Sequence, residues 1–368
     1  FGSAGLEPLP IAPPETLPEA PPPPVLAPVS GRAWKQAGWA ALGWLFLLAL
    51  WRVDYRRLNH PAVAFGGTGL ALALLGVVWF ADASRHRFLR LGPVGVQPSE
   101  LAKPALVIFV AFFLAQRSRI LNDSRTMAPA ALTLALLTGA VMVADLGTAF
   151  VMIVTAGAVF TVAGLEWRRF RTALVVGTVL TLAAMLGPGY RRARVAAFLL
   201  DTGLPQRLGV GEKLTQVAGS VGSSSRRDVS YHQKQSLTAL GSGGLWGVGL
   251  FRGKQKLGYL PEADTDFIYA VVGEELGLVG CGALVVVFLL VWWRGMRLVR
   301  SAPDEFGRYL ALGAAFMIVF QAMVNMSVVV KLLPAKGLPL PMISYGGSSV
   351  VATMMLFGML LSVRQRSL

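Results

Sequence analysis

The chain has 368 residues, 54% of them hydrophobic and 14% charged, with a formal net charge of +15 and a mean hydropathy of +0.59. Soluble globular chains carry about 25% charged residues, so this composition argues against a soluble protein. The single cysteine, Cys281, rules out an intrachain disulfide. Three unclustered histidines argue against a histidine-based metal centre, and without a GxxxxGK[ST] motif ATP-driven transport has no support.

In chain order, residues 1–33 form a proline-rich segment (PPETLPEAPPPP) that reads as extended polyproline with no packed core. Residues 34–368 read as a membrane-embedded domain. Apolar runs near 36–51, 61–81, 101–116, 127–144, 148–164, 172–188, 267–293, 309–331 and 342–363 are each read as helices crossing about 30 Å of hydrocarbon. The expected fold is therefore an all-α polytopic integral membrane protein with about nine transmembrane helices and one long extracytoplasmic loop, 189–266.

Arginine-rich loops alternate with others: Arg52, Arg56 and Arg57, then Arg117, Arg119 and Arg125, then Arg168, Arg169 and Arg171, then Arg294, Arg297 and Arg300, then Arg364 and Arg366. Lys and Arg concentrate on the cytoplasmic side, which places the C-terminus in the cytoplasm. An odd number of spans then puts residue 1 outside with no signal peptide to export it, so the reading calls for a further helix upstream of Phe1.

The opposite side is basic too, with Arg85, Arg87 and Arg90, then Arg191, Arg192, Arg194, Arg207, Lys213, Arg226 and Arg227, then Arg252, Lys254, Lys256, Lys331 and Lys336. Anionic lipid headgroups would account for this. So would an anionic ligand such as a diphosphate on that face. Within 189–266, residues 202–230 are expected to be mobile, and 231–240 and 245–250 read as short helices or re-entrant pieces. The loop ends in YLPEADTDFIYAVVGEELG, where Glu262, Asp264 and Asp266 precede an apolar run that itself contains Glu274 and Glu275. Carboxylates in or at a membrane need a partner or a task. Asp264, Thr265 and Asp266 could cap the helix that follows, or one of them could serve a site.

QPSELAK (97–103), ADLGT (144–148), QSLTALGSGGLWGVGL (235–250), YLPEADTDFIYAVVGEELGLVG and LPAKGLPLPMISYGGSS (333–349) together resemble the SEDS family of shape, elongation, division and sporulation proteins. KQKLGYLPEADTDF, FQAMVN and LPAKG are more similar to the division (FtsW) than to the elongation (RodA) members. The resemblance implies ten transmembrane helices, the first missing here. It also implies polymerisation of lipid II into glycan strands on the outer face of the cytoplasmic membrane, in septal wall synthesis or shape maintenance. The implied partners are a class B penicillin-binding protein and other division or elongation complex membrane proteins, with no nucleic acid. The family's essential aspartate falls on Asp266. Asp264 stands where the family usually has histidine, and Val143-Ala144-Asp145 where it usually reads QPD.

Such a polymerase needs a base for the acceptor hydroxyl, cations for the leaving undecaprenyl diphosphate and a groove for the lipid tail. A single inverting displacement with one carboxylate as base fits that chemistry. Asp266 is the candidate catalytic base. Arg87, Lys103 and Lys336 are the candidate diphosphate cations. Glu100, Gln235, Glu262, Asp264, Ser344 and Tyr345 are further substrate-binding candidates. No resident metal is assigned, although Glu262 and Asp264 make a divalent cation (Mg or Mn) conceivable. A lipid II flippase using the same basic residues, or a non-catalytic scaffold for a penicillin-binding protein, are the alternatives.

Overall fold

The computed structural model describes residues 29–82, 87–91, 94–169, 171–172, alternate positions of 175–179, 223–334 and 337–367. Nine helices are described: α1 (Val29–Arg52), α2 (Pro61–Ala81), α3 (Pro98–Arg117), α4 (Ser124–Ala144), α5 (Leu146–Val162), α6 (Ser223–Gly243), α7 (Ile268–Ser301), α8 (Glu305–Val329) and α9 (Gly347–Arg366). A two-stranded antiparallel hairpin, β1 (Leu89–Leu91) and β2 (Val94–Val96), precedes α3.

Six helices, α2, α3, α4, α7, α8 and α9, are long and apolar enough to cross a membrane, and α5 is apolar but shorter at 17 residues. α1 carries Arg32, Lys35 and Arg52 around an apolar centre. Eight of the nine spans read from the sequence are thus helices, and most of the ninth, 172–188, lies outside the described residues. α1 also reaches back across the expected boundary at residue 33, because VSGRAWKQ carries no proline to stop it. The chain is a multi-pass membrane protein.

Three helices form the centre. The apolar window of α3 is 83% buried and those of α8 and α9 72% each, against 22% for α4 and α7. α3 packs against α2, α4, α5, α8 and α9, and α8 against α5, α7 and α9. The uncovered faces of α2 and α4, with Leu70, Phe80, Leu132 and Leu136, are apolar, as surfaces in contact with lipid tails must be. Helix starts are set locally: His60 accepts from Ala62 N before Pro61, Asp123 caps α4, and Asp304 caps α8 through Gly307 N at 2.7 Å.

Of the segment 202–230, residues 202–222 lie outside the described residues, and 223–230 open the 21-residue helix α6. Gln233 and Ser236 tie α6 to α8 by donating to the Leu333 and Val329 carbonyls. Residues 245–250 are not a helix. They form a turn that pairs with a break in α7 at Gly277, whose φ of +66° and ψ of −162° only glycine adopts readily. The break frees backbone groups at the tenth residue of a 34-residue helix, and the turn satisfies them. Val248 and Gly249 donate to the Glu274 and Glu275 carbonyls, and Leu278 and Val279 donate to Gly244 and Leu245. Irregular backbone at membrane depth requires such internal partners. The two acids inside this run are also satisfied. Glu274 accepts from Lys254 N and Gln255 N, and Glu275 pairs with Lys256. The acids therefore hold 254–257 against α7.

Candidate functional site

Because the helices alternate in direction, one end of the bundle gathers the β-hairpin, the starts of α3, α5, α7 and α9, and the end of α8. A cavity of about 1020 Å³ opens there. Lys35 and Trp39 of α1, Arg87, Gln97, His232 of α6, Glu262 and Asp266, Gly337 and Pro339, and Tyr345–Ser349 line it.

The segment carrying Asp266 is held rigidly. Glu262 adopts a left-handed conformation (φ +55°), and its carbonyl accepts from Thr265, Asp266 and Phe267 N–H at 3.1–3.2 Å. Three successive carbonyls are then clamped by other elements. Asp264 O accepts from Tyr345 N at 2.8 Å, and Thr265 O from Ser344 Oγ. Asp266 O accepts from Asn325 Nδ2 at 2.8 Å. The same Asn325 amide donates to Leu338 O at 2.6 Å, which ties the 337–340 loop to Asp266. The Asp266 carboxylate lies directly over Gly337, where a Cβ would collide with Oδ2. The residue at the N-cap of α7 is Phe267, which makes no side-chain capping hydrogen bond.

Asp264 pairs with Arg32 at 3.1 Å, both half exposed, and is not among the residues lining the cavity. The two adjacent acids are separated by chain direction, one toward α1 and one toward the cavity. Among the described residues no three His, Cys, Asp or Glu side chains converge to hold a metal ion.

Arg87 reaches the cavity from the residues leading into β1. Its Nη2 donates to Asp145 Oδ2 at 3.3 Å. Asp145 caps α5 through Gly147 N and Thr148 N, and also accepts from Thr148 Oγ1 and Gln97 Nε2. Buried at 6% exposure, this carboxylate is fully supplied with donors, as a buried charge must be. It orients both Arg87 and Gln97.

Lys103 and Glu100 do not meet the cavity. Both side chains are 1% exposed and pair at 2.6 Å, with Gln321 Oε1 completing the ammonium shell at 2.7 Å. One face of α3 brings them together at i,i+3, and the pair is spent within the bundle. Gln321 in turn donates to Pro339 O, so this network braces the 337–340 loop from behind. Gln235 lines no part of the cavity, because α6 turns Gln233 and Ser236 inward instead. Ser344 acts through its hold on Thr265, while Tyr345 and Glu262 line the cavity. Lys336 lies outside the described residues. Sequence reasoning missed Lys35, Trp39, Gln97 and His232 as lining residues. Gln97 heads a string already singled out, whereas nothing in the local sequence marks the other three.

Residues 30–367 match the sequence model of the FtsW, RodA and SpoVE family, described as "Cell cycle protein". The chain is 36% identical over 337 residues to a probable peptidoglycan glycosyltransferase FtsW of Geobacter metallireducens, covering 90% of this chain and 84% of that one. It is 32% identical over 340 residues to stage V sporulation protein E of Bacillus subtilis, covering 91% and 87%. Its fold is similar to a chain of a peptidoglycan synthase complex that coordinates polymerization and crosslinking (TM-score 0.69, 28% identity, 92% and 91% covered). It is also similar to the rod shape determining protein RodA of Thermus thermophilus (TM-score 0.62, 28% identity, 92% and 89% covered).

Proposed function

The chain belongs to the FtsW, RodA and SpoVE family of cell cycle proteins, and from that premise we propose that it is a peptidoglycan glycosyltransferase that polymerises lipid II. The observation that carries this reading is Asp266, a carboxylate on a clamped backbone in a large cavity that also holds Arg87 and Lys35. The acceptor 4-hydroxyl attacks the anomeric carbon of the donor. Its proton passes to Asp266, the new glycosidic bond forms, and the bond to undecaprenyl diphosphate breaks with its electron pair leaving on the phosphate oxygen. A positioned base contributes on the order of 10²–10⁴ in rate, and fixed cations stabilise the charge developing on the leaving group. A single inverting displacement needs one carboxylate as base, the role given to Asp266.

The arginine-rich loops support placing the opposite, cavity-bearing end on the outer face of the cytoplasmic membrane, with the C-terminus inside. The similarity to a synthase complex joining polymerization to crosslinking supports a class B penicillin-binding protein as partner, and relatives named FtsW support a role in septal wall synthesis. The flippase alternative calls for charges along a path through the bilayer. The buried charges described here, Glu100, Lys103, Asp145, Glu274 and Glu275, all have partners and all sit in the cavity-side half of their helices or at a helix start.

The test uses purified protein with its partner and fluorescent lipid II. Wild type is expected to produce glycan ladders, and Asp266→Asn to fold, bind the partner and produce none. Ladders from Asp266→Asn would remove the base assignment, and lipid transport in vesicles without ladders from wild type would favour the flippase.

A further inference from the structure

α9 begins inside the cavity. Gly346 stands at its N-cap and supplies no side chain to the first turn, and Gly347, Ser348 and Ser349 line the cavity beside it. The first N–H groups of any α-helix have no partner within the helix, and a 20-residue helix presents the positive end of its dipole there. Trp39 packs so closely over Gly347 that a Cβ would collide with its ring, so glycine lets α1 close one side of this turn.

A second observation points the same way. Ser349 is 5% exposed and lines the cavity, yet no protein group hydrogen-bonds its hydroxyl. Buried hydroxyls are almost always paired. Its neighbour Ser348 shows the ordinary case, accepting from Gln97 N. Arg87 Nε, on another element lining the same cavity, is likewise buried without a partner while Nη2 is fixed on Asp145. Unused donors at a helix N-terminus, a serine and a guanidinium thus belong to residues that line one cavity, which Lys35 lines as well. Anions bind where helix N-terminal N–H groups and a guanidinium point together.

We infer that the first turn of α9, Gly346–Ser349, is the cradle for the diphosphate of the lipid substrate, with Ser349 Oγ and the first-turn N–H groups donating to phosphate oxygens and Arg87 and Lys35 supplying positive charge. This rests on the glycosyltransferase reading and gives its leaving group a place distinct from the Asp266 base.

The experiment titrates the full chain in nanodiscs, with its partner, with farnesyl diphosphate. Inorganic diphosphate and farnesol serve as the separate halves of that probe. Ser349→Ala is expected to weaken farnesyl diphosphate binding about tenfold, the factor of one hydrogen bond to a charged group, and to leave farnesol binding unchanged. Ser349→Asp places an acid where a helix start favours it, so thermal stability is expected to hold while diphosphate binding falls more than about 100-fold. A purely structural serine would show the reverse of that split. Inorganic diphosphate is expected to follow the same order of variants. If both variants bind farnesyl diphosphate like wild type, or if binding tracks farnesol alone, the cradle is overturned even where Asp266→Asn abolishes ladders. If wild type makes no ladders but binds diphosphate through Ser349, the cradle stands and the polymerase reading falls.

Discussion

Gly337→Ala tests the geometry of the site without replacing a charged group. The added methyl would overlap Asp266 Oδ2 by roughly 1 Å relative to ordinary van der Waals contact. The backbone cannot yield easily, because Asn325 pins both Leu338 O and Asp266 O and Gln321 pins Pro339 O. The carboxylate, at the far end of a rotatable side chain, can by turning about χ1. Fold stability should therefore change little, while the base moves by about the displacement that costs on the order of 100-fold in rate when reacting groups are misplaced. The assay is ladder formation from fluorescent lipid II under single-turnover conditions, alongside thermal unfolding in the same detergent. The expected result is a loss of about 100-fold in polymerisation with an unfolding temperature within a few degrees of wild type. Wild-type polymerisation by Gly337→Ala would refute the placement of the base over Gly337, and a large loss of stability would refute the claim that the side chain rather than the backbone gives way.

Other outcomes follow from neighbouring contacts. Asp264→Asn breaks only an exposed pair with Arg32, worth about 0–1 kcal/mol, and should retain polymerisation, in contrast to Asp266→Asn in the same assay. Lys103→Met leaves Glu100 buried and unpaired and should cost about 3–5 kcal/mol, read as a marked drop in unfolding temperature. The double variant Glu100→Leu with Lys103→Met should recover most of that stability, and failure to recover would show that the lysine does more than neutralise Glu100. At the arginine-rich end, burial and a hydrogen bond to Asp304 push the Tyr55 phenol up to about 12 from its ordinary 10.0. A raised pKa means the fold favours the neutral phenol, so its stabilisation is complete below about pH 10 and is lost as pH rises through 12. The unfolding-temperature gap between wild type and Tyr55→Phe should therefore be constant up to pH 10 and close above it.

Much of the fold was legible because a bilayer imposes a simple rule. Every span must be apolar and about 20 residues long, and α2, read as 61–81, matches the helix Pro61–Ala81. The break at Gly277 was not legible, since the run around it is apolar and helical by pattern, and only the turn 244–249 makes a broken helix satisfiable. At the site, the chemistry-bearing strings were visible as sequence, and Arg87, Glu262, Asp266 and Tyr345 do share one cavity. Lys103, Glu100 and Asp264 carry the same charges as true lining residues, and what separates them is who sits opposite.

The sequence by itself determined that this is an all-helical membrane protein, which loops lie together on one side, and that the acids before α7 stand at a helix start among basic residues. These follow from local composition, because hydrophobic length and the placement of Lys and Arg are properties of short segments. Only the tertiary structure decided which of the three acids before α7 line the cavity, Glu262 and Asp266 but not Asp264. That choice depends on Arg32 taking Asp264, on Tyr345, Ser344 and Asn325 gripping three consecutive carbonyls, and on a glycine beneath Asp266. Those partners come from α1, α8, α9 and the 337–345 segment that joins the last two, and no local pattern records contacts between residues tens to hundreds of positions apart.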